Sequence, residues 1–382
     1  MLTYGRCCSL LVGAMLLAFA CAPAASSPAP AARAETGAAP AGSSAPANAT
    51  LQRLIDGARQ EGTLSFVWGA GTLGGTEGLQ RLTQGFNKHY GLNVDVRFTP
   101  GLNMAEMAPR IVQEYQAGRA AATDMVVGYA QHMLAMIEGD AVEAVDWAAW
   151  APNVQSPAAV AGDGRAVVVQ SSLAGITYNS SKLTGDLVPR RLQDLLKPEY
   201  KGRIASTPYA ASFDNLAVPE LWGEQRTSEF LQQFADQIAG LIRCNEMDRI
   251  ASGEYDALAI QCSQGEPLQW KARGAPIDFV IAADAPLILP LYLTVPKLSA
   301  HPNAAKLWIN YLLSREAQDI LYEANFSDAA FIPGSRTAPD IEKLQASGVQ
   351  FTTVDVAFYQ RNDEKDMARM LAKFQDILRK QR

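Results

Sequence analysis

Residues 201–220, KGRIASTPYAASFDNLAVPE, decide how the rest of the chain is read. A charged turn, Lys201-Gly202-Arg203, leads into a short apolar segment, Ile204-Ala205. Hydroxyls follow at Ser206 and Thr207, then Pro208, and a helix is expected from about Ser212. Strand, hydroxyl-bearing turn and helix N-terminus, in that order, make a corner suited to anions. Exposed backbone N–H groups and the helix dipole face the same way there. The same pattern also serves as an ordinary βα connection, and this stretch alone favours that reading.

Towards the N-terminus the chain alternates helix and strand from Thr50 onward. Leu51, Leu54, Ile55 and Ala58 make one helical face, and residues 63–68 form an apolar run suited to a buried parallel strand. The turn 69–75, GAGTLGG, follows, then a helix with Leu79, Leu82, Phe86 and Tyr90 on one side. Strands are expected at 92–98 and 124–128, and helices at 103–119 and 131–138. Such βα alternation argues a doubly wound sheet, whose ligands lie past the carboxyl ends of strands. That rule selects Trp68, Gly69, Ala70 and Gly71 after one strand and Tyr129 after another. GAGTLGG does not keep the G-x-G-x-x-G spacing, which argues against a dinucleotide site.

Towards the C-terminus a helix is expected near 227–238, a brief strand at 241–243 and a helix at 245–252. Strands follow at 255–261 and 277–281, and an amphipathic helix closes the chain at 363–380. Cys244 and Cys262 each fall at the end of one of these strands. Read as neighbours, the two strands lie about 4.8 Å apart, and a Cys244–Cys262 disulfide is expected.

The whole chain has 382 residues, 48% hydrophobic and 19% charged, with net charge −6. That length argues two lobes rather than one core. The absence of a basic stripe argues against nucleic acid as a partner. Residues 1–20 read as an export signal, with Arg6 ahead of an apolar run too short to span a bilayer. Cys21 follows a small-residue cleavage site, which resembles a lipoprotein signal with an acylated cysteine. Ala18 stands where such signals usually carry leucine, so ordinary cleavage competes. Residues 22–48 are nearly all Ala, Pro, Ser and Gly, the composition of a tether spanning roughly 30 Å. No later apolar run is long enough to cross a bilayer, so the body is expected to be soluble.

Three segments carry a family resemblance. Residues 198–208, PEYKGRIASTP, and 165–179, RAVVVQSSLAGITYN, resemble the second-lobe and hinge segments of bacterial extracellular solute-binding proteins of the ferric-iron type. Residues 286–297, PLILPLYLTVPK, followed by HPNAAKLWINYLLSREAQDIL, resemble that family's return crossing and helix pair. The resemblance implies an α/β type II periplasmic-binding-protein fold, with two doubly wound lobes joined by a two-crossing hinge. Residues 21–49 are then a lipidated cysteine and tether. Residues 50–168 and 286–328 form lobe 1, and 169–285 and 329–382 form lobe 2. It further implies a monomeric receptor that delivers a small solute to an ABC permease and its ATPase, at the periplasm or cell surface, held to the membrane through Cys21.

Iron-binding members place two adjacent tyrosines after the strand that follows a GE-[YF]-D turn. Here Gly253-Glu254-Tyr255-Asp256 leads to Cys262 and Ser263 in that place. This departure argues against ferric iron and leaves a lining of amides, hydroxyls and rings: Trp68, Tyr129, Ser206, Thr207, Tyr209, Ser212, Cys262 and Ser263. Such a lining suits a small organic anion with no cofactor or metal. Asp284, near the lobe crossing, instead allows an amine. His301 is read as a helix cap. Three alternatives remain open at this level: iron transport, a thiaminase-like enzyme using Cys244 or Cys262, and a ligand-sensing lipoprotein.

Overall fold

The computed structural model describes residues 49–101 and 104–379. The expected signal, Cys21 and the tether lie outside the described residues, as does Asn103. No helix among the described residues is long and apolar enough to cross a membrane.

Among the described residues, twelve strands make three sheets. In chain order they are β1 Thr63–Trp68, β2 Asp95–Pro100, β3 Val126–Gly128, β4 Val160–Ala161, β5 Ala166–Leu173 and β6 Gly175–Asn179. Then come β7 Ile204–Ser206, β8 Ile238–Leu241, β9 Ala257–Gln261, β10 Ile277–Val280, β11 Leu287–Thr294 and β12 Thr352–Thr353. One sheet runs β12-β11-β5-β4 with β3 also on β11, a second pairs β1 with β2, and the third runs β10-β6-β9-β7-β8. β1 joins the first of these through residues 123–124. The Asp124 N–H donates to the Ser65 carbonyl (2.9 Å), and the Val67 N–H donates to Thr123 Oγ1 (3.1 Å). The first two sheets therefore form one lobe and the third forms the other.

The burial of each strand follows its pattern. β1 alternates half-buried and buried side chains, while every residue of β5 and β9 is buried, Gln170, Ser171, Ser172 and Gln261 included. Trp308 is fully buried, with Phe66 and Phe86 ring centroids 5.3 and 5.2 Å away. The turn after β1 needs Gly74, whose φ of +85° is left-handed and where a Cβ would collide with Ala324.

Among the described residues the chain crosses between lobes three times, from β5 to β6 through Ala174, from β10 to β11, and from helix Val356–Arg361 to helix Glu364–Arg379. The first crossing lies later than the expected 168/169 boundary, because β5 stays paired with β11 as far as Leu173 opposite Ile288. The tail also departs from expectation. β12 pairs with β11 in the first lobe, and helix Val356–Arg361 packs on helix Ala130–Glu138. The last helix, Glu364–Arg379, packs on the second lobe, against helix Gly223–Ala235.

Three local expectations are corrected. The helix expected from Ser212 is a single turn, Phe213–Leu216. β8 and β9 are not neighbours, because β7 lies between them. His301 precedes helix Pro302–Leu312 without capping it by its side chain; its Nδ1 lies 2.8 Å from Asp124 Oδ2 instead.

Candidate functional site

A cavity of about 360 Å³ opens where the two lobes meet. The first lobe contributes Ala105 and Gln131, the second residues of helices Met104–Gln116 and Ala130–Glu138, together with Tyr129. The second lobe contributes Tyr209, Ser212, Asp214 and Cys262; β11 adds Leu289, and the tail adds Val354, Tyr359 and Leu371.

The wall from residue 207 to 214 is built by the Thr207 hydroxyl. Its Oγ1 accepts the Ala211 N–H (2.9 Å), its carbonyl accepts the Ala210 N–H (3.2 Å), and the Ala210 carbonyl accepts the Phe213 N–H (3.2 Å). This tight winding places Ala210 and Ser212 at φ +49° and +60°, a left-handed conformation that costs energy without glycine. Thr207 and Ser206 are both fully buried beneath the turn, and neither lines the cavity. The hydroxyl pair expected to meet ligand therefore supports the wall from behind.

Tyr209 is held at its phenol. The Tyr209 oxygen accepts the Cys244 N–H (2.9 Å) and sits 3.6 Å from Cys262 Sγ. Cys244 and Cys262 form a disulfide with Cα atoms 6.0 Å apart. Since β7 separates their strands, the link forms beyond the strand ends, spanning the end of β7, where the Ile242 N–H donates to the Ser206 carbonyl (2.9 Å). Burial raises the Tyr209 phenol above its ordinary range, partly offset by the bond from Cys244.

The opposite wall is also neutral. Burial pushes the Tyr129 phenol up, offset in part by a bond with the Ser172 side chain. The Tyr129 N–H donates to His132 Nδ1 (3.1 Å), and burial lowers that imidazole to about 4. His132 is therefore uncharged at neutral pH.

Several expected residues stand elsewhere. Trp68 is 2% exposed and stacks on Phe66 at 4.5 Å, so it belongs to the core. Gly69, Ala70 and Gly71 form the turn after β1, closed by the Thr72 N–H to Gly69 carbonyl bond, and are not in the cavity wall. Ser263 is half-buried and also outside it. Asp284 accepts the N–H groups of Leu192 (2.8 Å) and Gln193 (3.2 Å), which start helix Leu192–Leu196. Its carboxylate is spent on backbone, so the amine role expected for it is not built.

Asp214 was missed by sequence reading, where it looks like an ordinary acidic residue in a helical first turn. It is half-buried in the cavity wall, and burial raises its carboxyl to about 6, only partly offset by the backbone N–H groups of Asn215 and of Asp214 itself. No Lys, Arg or His lines the cavity among the described residues. Tyr359, supplied by the tail, was also missed; its hydroxyl donates to Asn215 Oδ1 (3.1 Å).

Comparison with known proteins places this architecture. Residues 122–362 match the family described as bacterial extracellular solute-binding protein. The Fe(3+)-binding periplasmic protein of Serratia marcescens is 24% identical over 277 residues, which cover 68% of this chain and 78% of that one. Among solved structures, the substrate binding protein of an ABC transporter from Agrobacterium tumefaciens aligns with TM-score 0.67 and 18% identity, over 83% of this chain and 94% of that one. The periplasmic binding protein AfuA of Actinobacillus pleuropneumoniae, with exogenous fructose-6-phosphate bound, aligns with TM-score 0.63 and 19% identity, over 83% and 98%. At these identities the structural likeness is one of fold, the two-lobed type II periplasmic-binding-protein fold.

Proposed function

The chain belongs to the bacterial extracellular solute-binding proteins, and from that premise we propose that it is the exported receptor of an ABC importer. It captures a small organic solute between its lobes and hands it to a permease and its ATPase. The observation that carries this reading is the inter-lobe cavity, whose wall draws residues from both lobes and from the crossing strand β11. The short crossings allow the lobes to close on what the cavity holds. The expected acidic group finds support in the first lobe, where two helices of 13 and 9 residues begin at the cavity. A helix N-terminus favours negative charge. An enzyme using a cysteine nucleophile fits less well, since the disulfide occupies both candidate thiols.

Titration of the purified protein with solute panels tests the receptor reading directly. A bound solute raises stability by RT ln(1 + [L]/Kd), about 2.7 kcal/mol at a hundredfold excess over Kd. A panel of sugar phosphates, organic acids, amino acids and ferric chelates that leaves the melting temperature unmoved counts against the receptor.

Ferric iron is expected to give no visible tyrosinate charge-transfer band. The cavity phenols are engaged, Tyr209 by the Cys244 N–H and Tyr359 by Asn215, and burial raises those of Tyr129 and Tyr209. A visible band on adding ferric citrate overturns this.

Tethering through Cys21 completes the proposal, since an acylated cysteine with two or more chains anchors a protein stably. Cys21→Ser is expected to move the protein from the membrane to the soluble fraction, and unchanged membrane association refutes the anchor.

A further inference from the structure

Asp214 is not needed by the fold in the way several other enclosed carboxylates are. Asp124, Asp284 and Asp328 each accept several hydrogen bonds that hold neighbouring segments together. Asp214 reaches only its own N–H and that of Asn215, within one turn. The last helix, Glu364–Arg379, packs on that turn, and three of its cations are committed elsewhere. Arg369 and Lys373 pair with Glu224, and Arg379 Nη2 reaches the Pro208 carbonyl. The carboxylate thus faces the cavity without a cation, which is costly for a group removed from bulk water.

We infer that the solute carries a protonated amine seated on Asp214 as well as an acidic group, so that the cavity takes a small zwitterion. The inference rests on the receptor reading above. Polarity runs across the cavity: helix N-termini lie on the first-lobe side at Ala105 and Gln131, and a carboxylate lies on the second-lobe side at Asp214. An ammonium on Asp214 neutralises the buried charge in a cavity also lined by the rings of Tyr129, Tyr209 and Tyr359, which favour cations. The acidic end meets the helix starts. A volume of about 360 Å³ holds about a dozen groups the size of a water molecule, which excludes long peptides. Each end of the zwitterion is held by a different lobe, so only a molecule with both charges draws the lobes together.

Calorimetric titration of the full chain with 5-aminopentanoate and ornithine tests this, with pentanoate and pentylamine as half-ligand controls. The zwitterions are expected to bind at least tenfold more tightly than either control. Asp214→Asn is expected to lose at least tenfold in zwitterion affinity while melting at or above the parent, because it removes an unneutralised carboxylate. Asp284→Asn, at the capping residue, serves as the control and keeps the zwitterion affinity. Tighter binding of pentanoate or a sugar phosphate than of any zwitterion overturns the amine and leaves the receptor standing. Unchanged zwitterion affinity in Asp214→Asn also overturns it. Failure of every solute in both panels sinks the receptor reading together with this one.

Discussion

Asp124→Ala is expected to cost about 3–5 kcal/mol, the range for removing one partner from a buried hydrogen-bonded charge. Asp124 is 2% exposed and ties three segments of the first lobe together. Its Oδ2 accepts the Ser65 N–H (2.7 Å) on β1 and lies 2.8 Å from His301 Nδ1. Its Oδ1 accepts the Ser299 hydroxyl (2.9 Å) and the His301 N–H (3.1 Å) at the start of helix Pro302–Leu312. Alanine leaves the Ser65 N–H and the Ser299 hydroxyl without this acceptor, while the His301 N–H keeps Ser299 Oγ (3.2 Å), and each orphaned buried donor costs about 1–3 kcal/mol. Asp124→Asn keeps one oxygen acceptor and is expected to lose less. Urea unfolding monitored by tryptophan fluorescence reads the difference, and a loss under 1 kcal/mol for the alanine variant means that water replaces the carboxylate without strain.

The strands were legible because their burial is written in their composition. The run at residues 63–68 and the apolar stretch inside 165–179 fall on β1 and β5, which are covered by helices or by a second sheet. Other features were written in the sequence but outweighed by a stronger pattern. The helix expected from Ser212 stops at Leu216, three residues before Pro219, which lacks the N–H that would continue it and disfavours helix at Val218. The hydroxyls of Ser206 and Thr207 read as ligand contacts because polar groups in turns usually face water, yet here Thr207 winds the backbone from inside.

The rest depends on contacts between residues distant in the chain. No local pattern says that β7 inserts between β8 and β9, or that the tail returns to the first lobe and brings Tyr359 across to Asn215, 144 residues away. Asp214 illustrates the limit most directly. Its neighbours in sequence make it a helix-start acid, and only the packing of the last helix, with Arg369 and Lys373 already paired to Glu224, leaves it facing a cavity.

Reducing the Cys244–Cys262 disulfide is expected to lower stability by about 3 kcal/mol, since a link over a separation of 18 residues removes freedom from the unfolded chain. The effect on the site is expected to be as large as that on the fold. Tyr209 lies in the cavity wall, and its phenol is fixed between the Cys244 N–H and Cys262 Sγ. Its turn carries two left-handed residues, Ala210 and Ser212, and runs directly into Asp214. Freeing the cysteines therefore releases the segment that positions the second-lobe wall, and ordering it again falls on the binding step. Cys244→Ser with Cys262→Ser, or dithiothreitol on the native chain, should reduce both the urea midpoint and solute affinity. The double variant separates the link from any reactivity of a free thiol, because it holds none at these positions. Mass analysis after alkylation without reductant checks the premise: two alkylated cysteines in the secreted protein, with no stability lost on reduction, remove the disulfide from the account. If stability falls but affinity does not, Tyr209 is held in place by its packing rather than by the link, and the disulfide serves the fold alone.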